Sequence, residues 1–306
     1  MSTQRDTIEV MEVAPRDGFQ SIAEPLPTAD KVAIIQGLID AGCQRLEFGA
    51  FVSPKAVPQM ADMGEIAAHF APRRDLRLCV LVPNLKGAEA ARRHGLHDLG
   101  YVYSASQTHN QRNVRRSREA SIDGLRELVT FMQDAPEFRL RVNVATSFDC
   151  PFDGAIDLAT LREAVTPIWD IVGDAEVALC DTTGRAHPHQ VRAAFEAMMA
   201  ECPHPATRWA FHGHDTFGMG VANALFAHQA GVRVFDSSAA GLGGCPFAPG
   251  ATGNTATEDL LFAFHEAGID SGIDLLRLLD VADRIAELPG GVTASHLRMV
   301  PRRRVV

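Results

Sequence analysis

Eight times along this 306-residue chain, a short β-branched, apolar run is followed by a longer stretch of helical period. No other feature narrows the choice of fold as far. Neighbouring parallel strands need a crossover, and a helix is the usual one. The strand-like runs are Ile8 to Val13, Arg45 to Phe51, Leu76 to Val82, Leu99 to Ser104, Phe138 to Thr146, Glu176 to Cys180, Arg208 to His212 and Val232 to Ser237. Eight βα units predict an α/β fold of the TIM (β/α)8 barrel class. A doubly wound open sheet alternates in the same way, but no Gly-x-Gly-x-x-Gly follows the first run, where a dinucleotide-binding sheet would carry it.

No Pro/Ser-rich linker or charge block interrupts the alternation, so residues 1–306 are expected to form one catalytic domain, with the barrel over about 7–268 and a helical extension over about 269–306. The extension is read from the helical pattern between Gly272 and Leu288, and Arg302-Arg303-Arg304 reads as a solvated basic end. In the first helix Thr28, after Pro27, is expected to cap the N-terminus, and Val32, Ile35, Leu38 and Ile39 form the apolar stripe.

Composition removes several classes of function. Hydrophobic residues make up 46% and charged residues 22%, and no run approaches the roughly 18 apolar residues that a membrane span needs. The formal net charge of -9 opposes general attraction to nucleic acid or anionic lipid. The N-terminal residues Met-Ser-Thr-Gln-Arg-Asp lack the apolar core of a signal peptide, and a cytoplasmic protein is expected. Six cysteines, with no Cys-x-x-Cys pair, argue against disulfides and a zinc knuckle. Five of them read as small buried hydrophobes, and Cys245 stands apart.

In a parallel barrel the C-terminal ends of the strands carry the active site, so polar residues there hold most of the functional information. The sharpest signal is His212-x-His214, because the period of two along a strand puts both imidazoles on one side. Asp17, at the end of the first strand, becomes a neighbour once the barrel closes. Two nitrogens and carboxylate oxygen, with no cysteine at ligand spacing, suit octahedral Mg2+ or Mn2+ better than structural zinc. Asn254 offers a further oxygen. Arg16, beside Asp17, fits an enolate-stabilising guanidinium as well as a plain ion pair. Gly241, Gly243, Gly244, Gly250 and Gly253 make the loop around Cys245 unusually rich in glycine. Such glycines serve either turn geometry or movement, and a reachable Cys245 in that loop is a candidate proton donor or acceptor. Arg112, Arg115, Arg116 and Arg118 read as a solvated helix start that a phosphate-rich ligand such as coenzyme A can also use.

Several motifs then carry a resemblance. They are Val13-Ala-Pro-Arg16-Asp17-Gly-Phe-Gln20, Phe51-Val-Ser-Pro-Lys55, Pro83-Asn84-Leu-Lys86-Gly87, Asp181-Thr-Thr-Gly184, His212-Gly-His214-Asp215 and Gly241-Leu-Gly-Gly-Cys245-Pro through Gly253-Asn254 to Glu258-Asp259. In order, from about Glu9 to about Leu276, they resemble the 3-hydroxy-3-methylglutaryl-CoA lyase family. The resemblance implies Mg2+ or Mn2+ held by Asp17, His212, His214 and Asn254. It implies that Arg16 neutralises an enolate, Cys245 protonates it, and Glu47 and Asp181 support proton transfer. Arg16, Gln20, Asn84 and Lys86 would bind an acyl-CoA substrate, a 3-hydroxy-3-methylglutaryl thioester cleaved to acetyl-CoA and acetoacetate in leucine breakdown. A homodimer is the implied assembly, and the proton acceptor stays open between Asp17 and His212.

Two stretches depart from the family pattern. Ser21-Ile22-Ala23-Glu24 and Phe48-Gly49-Ala50 replace polar residues near the expected mouth, which would admit a different or bulkier 3-substituent. The competing readings are a Claisen or aldol carboligase or aldolase of the same fold, a zinc hydrolase barrel and a metal-binding scaffold protein. The carboligases resemble longer chains without the loop cysteine. The hydrolases put His-x-His on the first strand. A scaffold has no need of Arg16 or a reachable thiol.

Overall fold

A computed structural model describes residues 6–244 and 253–305. Eight parallel strands close into a barrel: β1 (Glu9–Glu12), β2 (Arg45–Ala50), β3 (Arg77–Leu81), β4 (Asp98–Ser104), β5 (Arg139–Ala145), β6 (Glu176–Asp181), β7 (Arg208–Gly213) and β8 (Val234–Ser237). Sequential strands pair around the ring, and β8 returns to β1 with Glu9 opposite Val234 and Glu12 opposite Ser237. Each strand feeds a helix: α1 (Thr28–Asp40), α2 (Met63–Phe70), α3 (Leu85–Arg93), α4 (Arg118–Gln133), α5 (Leu158–Val172), α6 (Pro188–Glu201), α7 (Gly220–Gln229) and α8 (Thr257–Glu266). A ninth helix, α9 (Leu275–Ala286), supplies the expected extension and packs on α1.

The strand sequences look continuously apolar because both faces are covered. Strand residues such as Leu46, Val80, Val142 and Phe235 and helix residues such as Ile35 form the large core between barrel and helices. Two much smaller groups, Met11–Val13–Cys79 and Ala178–Cys180–Ala210–Val234, are separate from it.

Local chemistry sets the helix starts: Asn84, Ser117, Asp157 and Asp274 each accept a backbone N–H of the first turn of α3, α4, α5 and α9. Thr28 departs from the expectation. It is the first residue of α1 rather than its cap, and its hydroxyl donates to Asp62 at 2.9 Å, the carboxylate that also pairs with buried Lys31 at 2.8 Å. A tertiary acceptor outcompetes the local one. At the basic end Arg303 and Arg304 are exposed as expected, while Arg302 donates to Asp283 at 2.6 Å.

Phe48 and Gly49 also correct an expectation. A β-bulge between Glu47 and Gly49 makes Phe48 the extra residue, and Phe48 lies in the core between barrel and helices. A Cβ on Gly49 would meet Met63 Sδ at 1.9 Å. Both positions answer to packing, Phe48 in the core and Gly49 beneath Met63 of α2.

Among the described cysteines, Cys43, Cys79, Cys150 and Cys180 are buried and Cys202 is partly exposed. Burial raises the thiol pKa of Cys43, Cys79 and Cys180.

Candidate metal centre and active site

The chain leaves β1 through a π-helical turn, Ala14–Gly18, in which Asp17 N and Gly18 N both donate to Val13 O, at 2.8 and 3.3 Å. This single wide turn is a form often found at functional sites, and it places Arg16 and Asp17 side by side over the barrel. At the end of β7, residues 213–215 pair with residues 253–255 through Thr255 N to Gly213 O and Asp215 N to Gly253 O, each 3.0 Å. That short pairing puts Asn254 opposite His214.

Asp17, His212 and His214 each bring a potential donor atom within 4.8 Å of the others, and His214 Nε2 is 4.0 Å from Asp17 Oδ2. Asn254 Nδ2 donates to the same Oδ2 at 2.9 Å and to Leu242 O at 3.2 Å. Room for the amide comes from Gly243, where a Cβ would stand 2.5 Å from Nδ2, and from Gly253, whose φ of +96 leaves its Cβ position 2.8 Å from Gly241 O. At these positions the glycines allow close approach of backbone and amide, at positive φ. Gly250 and Cys245 lie outside the described residues.

Around this cluster runs a frame of charge. Arg16 pairs with Asp17 and donates from Nε to Glu47 Oε2 at 2.7 Å. His212 Nδ1 is hydrogen-bonded to Asp236 Oδ2 at 3.1 Å, which leaves Nε2 for the site. Asp236 is in turn paired with Arg141, whose Nη1 lies 3.0 Å from Glu176, and Glu176 pairs with Arg45. A file of alternating charges therefore crosses the barrel interior from Arg45 to His212.

The frame tunes the titrating groups. Burial opposes ionisation of Asp17, but the Arg16 charge and the two imidazoles outweigh it and hold the carboxylate well below its usual range. His214 is lowered to about 4 by burial and by His212, so it is neutral, the ligating form, near pH 7. Burial would lower His212 as well, yet the hydrogen bond and charge of Asp236 and the charge of Asp17 raise it.

Do these residues fit a divalent cation? His214 Nδ1, Asn254 Oδ1, Asp236 Oδ1 and Glu47 Oε1 are buried with no hydrogen-bond partner. An unpartnered buried acceptor costs roughly 1–3 kcal/mol, and a divalent cation held by Asp17, His212 and His214 would offer such oxygens and nitrogens a partner. A carboxylate holding the far nitrogen of a ligating histidine is the usual outer partner of such a site. The donor set fits.

The other sequence candidates lie elsewhere. Asp181 is buried at the end of β6, where its oxygens accept from Arg185 N at 3.1 Å and Ala186 N at 3.2 Å, and burial raises its pKa to about 7. Asn84 spends its Oδ1 on the cap of α3, accepting from Gly87 N at 3.2 Å, while Lys86 and Gln20 are exposed. None of the four hydrogen-bonds to the Asp17–His212 cluster. Arg118 donates to Ala105 O at 3.0 Å, and Arg112 lies over the Phe152 ring at 4.2 Å, so these two arginines are engaged in packing.

Sequence reasoning missed Asp236, Arg141 and Glu12. Glu12 is fully buried and accepts from Ala14 N and Ala239 N at 2.9 Å each and from Thr257 Oγ1 at 2.7 Å, tying the Arg16–Asp17 turn to the loop after β8. The available signal was a charge at an inward position of an otherwise apolar strand.

Comparison with known proteins identifies the family. The HMGL-like family model matches residues 7–285. The hydroxymethylglutaryl-CoA lyase of Pseudomonas mevalonii is 38% identical over 289 residues, covering 94% of this chain and 95% of the relative. The 3-hydroxy-3-isohexenylglutaryl-CoA/hydroxymethylglutaryl-CoA lyase of Pseudomonas aeruginosa is 38% identical over 291 residues, with 94% and 95% covered. An HMG-CoA lyase structure from Acinetobacter baumannii, in complex with coenzyme A and 3-methylmalate, superposes with a TM-score of 0.91 at 38% identity, covering 99% of this chain and 97% of that one. A family match over nearly the whole barrel, on a fold that gathers Arg16, Asp17, His212, His214 and Asn254 at the strand ends, makes this chain a member of the HMGL-like family.

Proposed function

We propose that this protein is a carbon–carbon lyase that cleaves 3-hydroxy-3-methylglutaryl-CoA to acetyl-CoA and acetoacetate, with Mg2+ or Mn2+ held by Asp17, His212, His214 and Asn254. The observation that carries the reading is the joining of Asp17, His212 and His214 into one donor cluster, with Arg16 paired to its carboxylate. Neither a bare metal scaffold nor a hydrolase asks for that combination.

Cleavage breaks the C2–C3 bond of the substrate, so the tertiary hydroxyl must lose a proton while the thioester half accepts an electron pair. A bound divalent ion supplies a Lewis acid that acidifies this hydroxyl. Two groups are candidates to accept that proton, the Asp17 carboxylate kept ionised beside Arg16 and the His212 imidazole oriented through Nδ1 by Asp236. Arg16 has a fixed guanidinium, anchored on buried Glu47, to stabilise the enolate oxygen as charge develops. The enolate carbon then takes a proton, a role assigned to the Cys245 thiol, with Glu47 and Asp181 in support of proton transfer. Gln20, Asn84 and Lys86 are assigned to the acyl-CoA. A homodimer in the cytoplasm completes the proposal.

Turnover decides it. Purified protein supplied with Mg2+ or Mn2+ should release equal amounts of acetyl-CoA and acetoacetate from the thioester, and a chelator should stop it. Metal-loaded, folded protein that gives neither product rejects the reading. A Cys245→Ala variant with an undiminished rate rejects the thiol as proton donor. With Phe48, Gly49 and Ala50 buried, Ser21–Glu24 is the departure left to admit a bulkier 3-substituent. Comparing kcat/KM for thioesters with methyl and longer 3-substituents tests it.

A further inference from the structure

The structure assigns a positioning role to Asp259: together with residues 294–297 it locks the turn after β8 and so sets Asn254 against Asp17. This inference rests on the reading of Asn254 and Asp17 as metal ligands.

Ala240 stands in that turn with φ of 62, in the left-handed region that non-glycine residues rarely occupy. Such a conformation persists where its surroundings over-determine it, and both sides of Ala240 are held. Its N–H donates to the two oxygens of Glu258 at 3.1 Å each, and its carbonyl accepts from Ala294 N at 3.0 Å. Next to it, Gly241 has no room for a side chain, since a Cβ would lie 3.2 Å from Ala294 N.

The chain segment that clamps this turn comes from beyond α9, and Asp259 holds it. The carboxylate accepts from Leu297 N at 2.7 Å, His296 N at 2.8 Å, His296 Nδ1 at 3.0 Å and Ser295 Oγ at 3.4 Å. Two residues past Ala240, Leu242 O accepts from Asn254 Nδ2, the same amide that donates to Asp17. One run of contacts thus leads from Asp259 through Ala294, Ala240 and Leu242 to Asn254. Asp259 has no part in the proposed chemistry, and a carboxylate accepting four hydrogen bonds from one segment is more than a surface tether needs. By this route the helical extension becomes part of the apparatus that orients the metal ligands.

The test is hydrogen exchange combined with Mn2+ binding followed by electron paramagnetic resonance, on full-length protein. Asp259→Ala should speed exchange of the Ala240 and Ala294 amides at least tenfold and weaken Mn2+ binding by three- to tenfold, with β4 and β5 amides unchanged. Asp259→Asn keeps one acceptor oxygen and should fall between, which serves if the alanine variant does not fold. Wild-type protein that binds Mn2+ while both variants bind it equally well overturns the positioning role alone. Faster exchange at Ala240 with unchanged Mn2+ affinity overturns it too. Wild-type protein that takes up no Mn2+ overturns the metal reading and the link to Asn254 together.

Discussion

The two ends of the barrel are both rich in charge, and they treat it in opposite ways. At the N-terminal end Arg45, Arg77 and Arg208 all bond to Glu9, and Arg45, Arg141 and Arg208 converge on Glu176. A cavity of about 710 Å3 lined by Arg77, Arg139 and Arg208 opens there, and each of these arginines faces a carboxylate. At the C-terminal end the same kinds of residue leave His214 Nδ1, Asn254 Oδ1 and Glu47 Oε1 without partners. On the floor nearly every charged group has an ion-pair partner, with Arg77 Nε and Asp98 Oδ1 lacking a hydrogen bond. At the strand ends the unpartnered atoms gather around the Asp17–His212–His214 cluster, and that difference in placement is the contrast between a structural ion-pair cluster and a candidate reactive site.

Substitutions at the two ends should therefore fail in different ways. The largest effect is expected for His214→Ala or Asp17→Ala, with loss of Mn2+ binding and a fall in kcat of about 1000-fold or more at little change in melting temperature. Next comes Arg16→Gln, which leaves the donors in place and should lower kcat by about 100- to 1000-fold while Mn2+ affinity is nearly kept. Asp236→Asn, a step behind His212, should weaken Mn2+ binding by about 10- to 100-fold. On the floor, Arg45→Met should reverse the pattern: the buried Glu176 loses a partner, stability to denaturant drops by about 3–5 kcal/mol, and kcat of the folded fraction is preserved. A floor variant that abolishes turnover without destabilising the fold would erase the distinction.

A smaller effect sharpens it by pH. Burial raises Glu258 from 4.5 to about 7, so between those values the folded state holds a proton that the unfolded state has released. Its contribution to stability is full below about pH 4.5 and is lost as pH rises through 7. Glu258→Gln should remove this dependence, so thermal melts of wild type and variant should diverge by up to about 3 kcal/mol across that window. Parallel melting curves over the whole range would count against a protonated Glu258.

The barrel was legible because its signal is repeated eight times and a small error at one strand end changes nothing downstream. Strand-end residues followed from the same period, which is how His212, His214 and Asp17 were brought together on paper. What stayed hidden was the interior file. Arg141 and Asp236 stand alone in apolar strands, and nothing local says that they meet across the barrel, 95 residues apart in sequence. Thr28 was misread for the same reason: its partner Asp62 lies 34 residues away. Phe48 was misread because a bulge changes which face a residue takes, and no periodic rule anticipates it.

The deep cysteines have a practical consequence. With Cys43, Cys79 and Cys180 sealed in the interior and reluctant to ionise, a maleimide or iodoacetamide added at neutral pH has few nucleophiles to find in the native protein. Among the described cysteines Cys202 is the partly exposed one, so labelling a Cys202→Ser variant tests whether Cys245 is within reach. In a Cys202→Ser background, protection of the remaining adduct by substrate becomes a direct probe of the residue on which the proton-donor assignment depends.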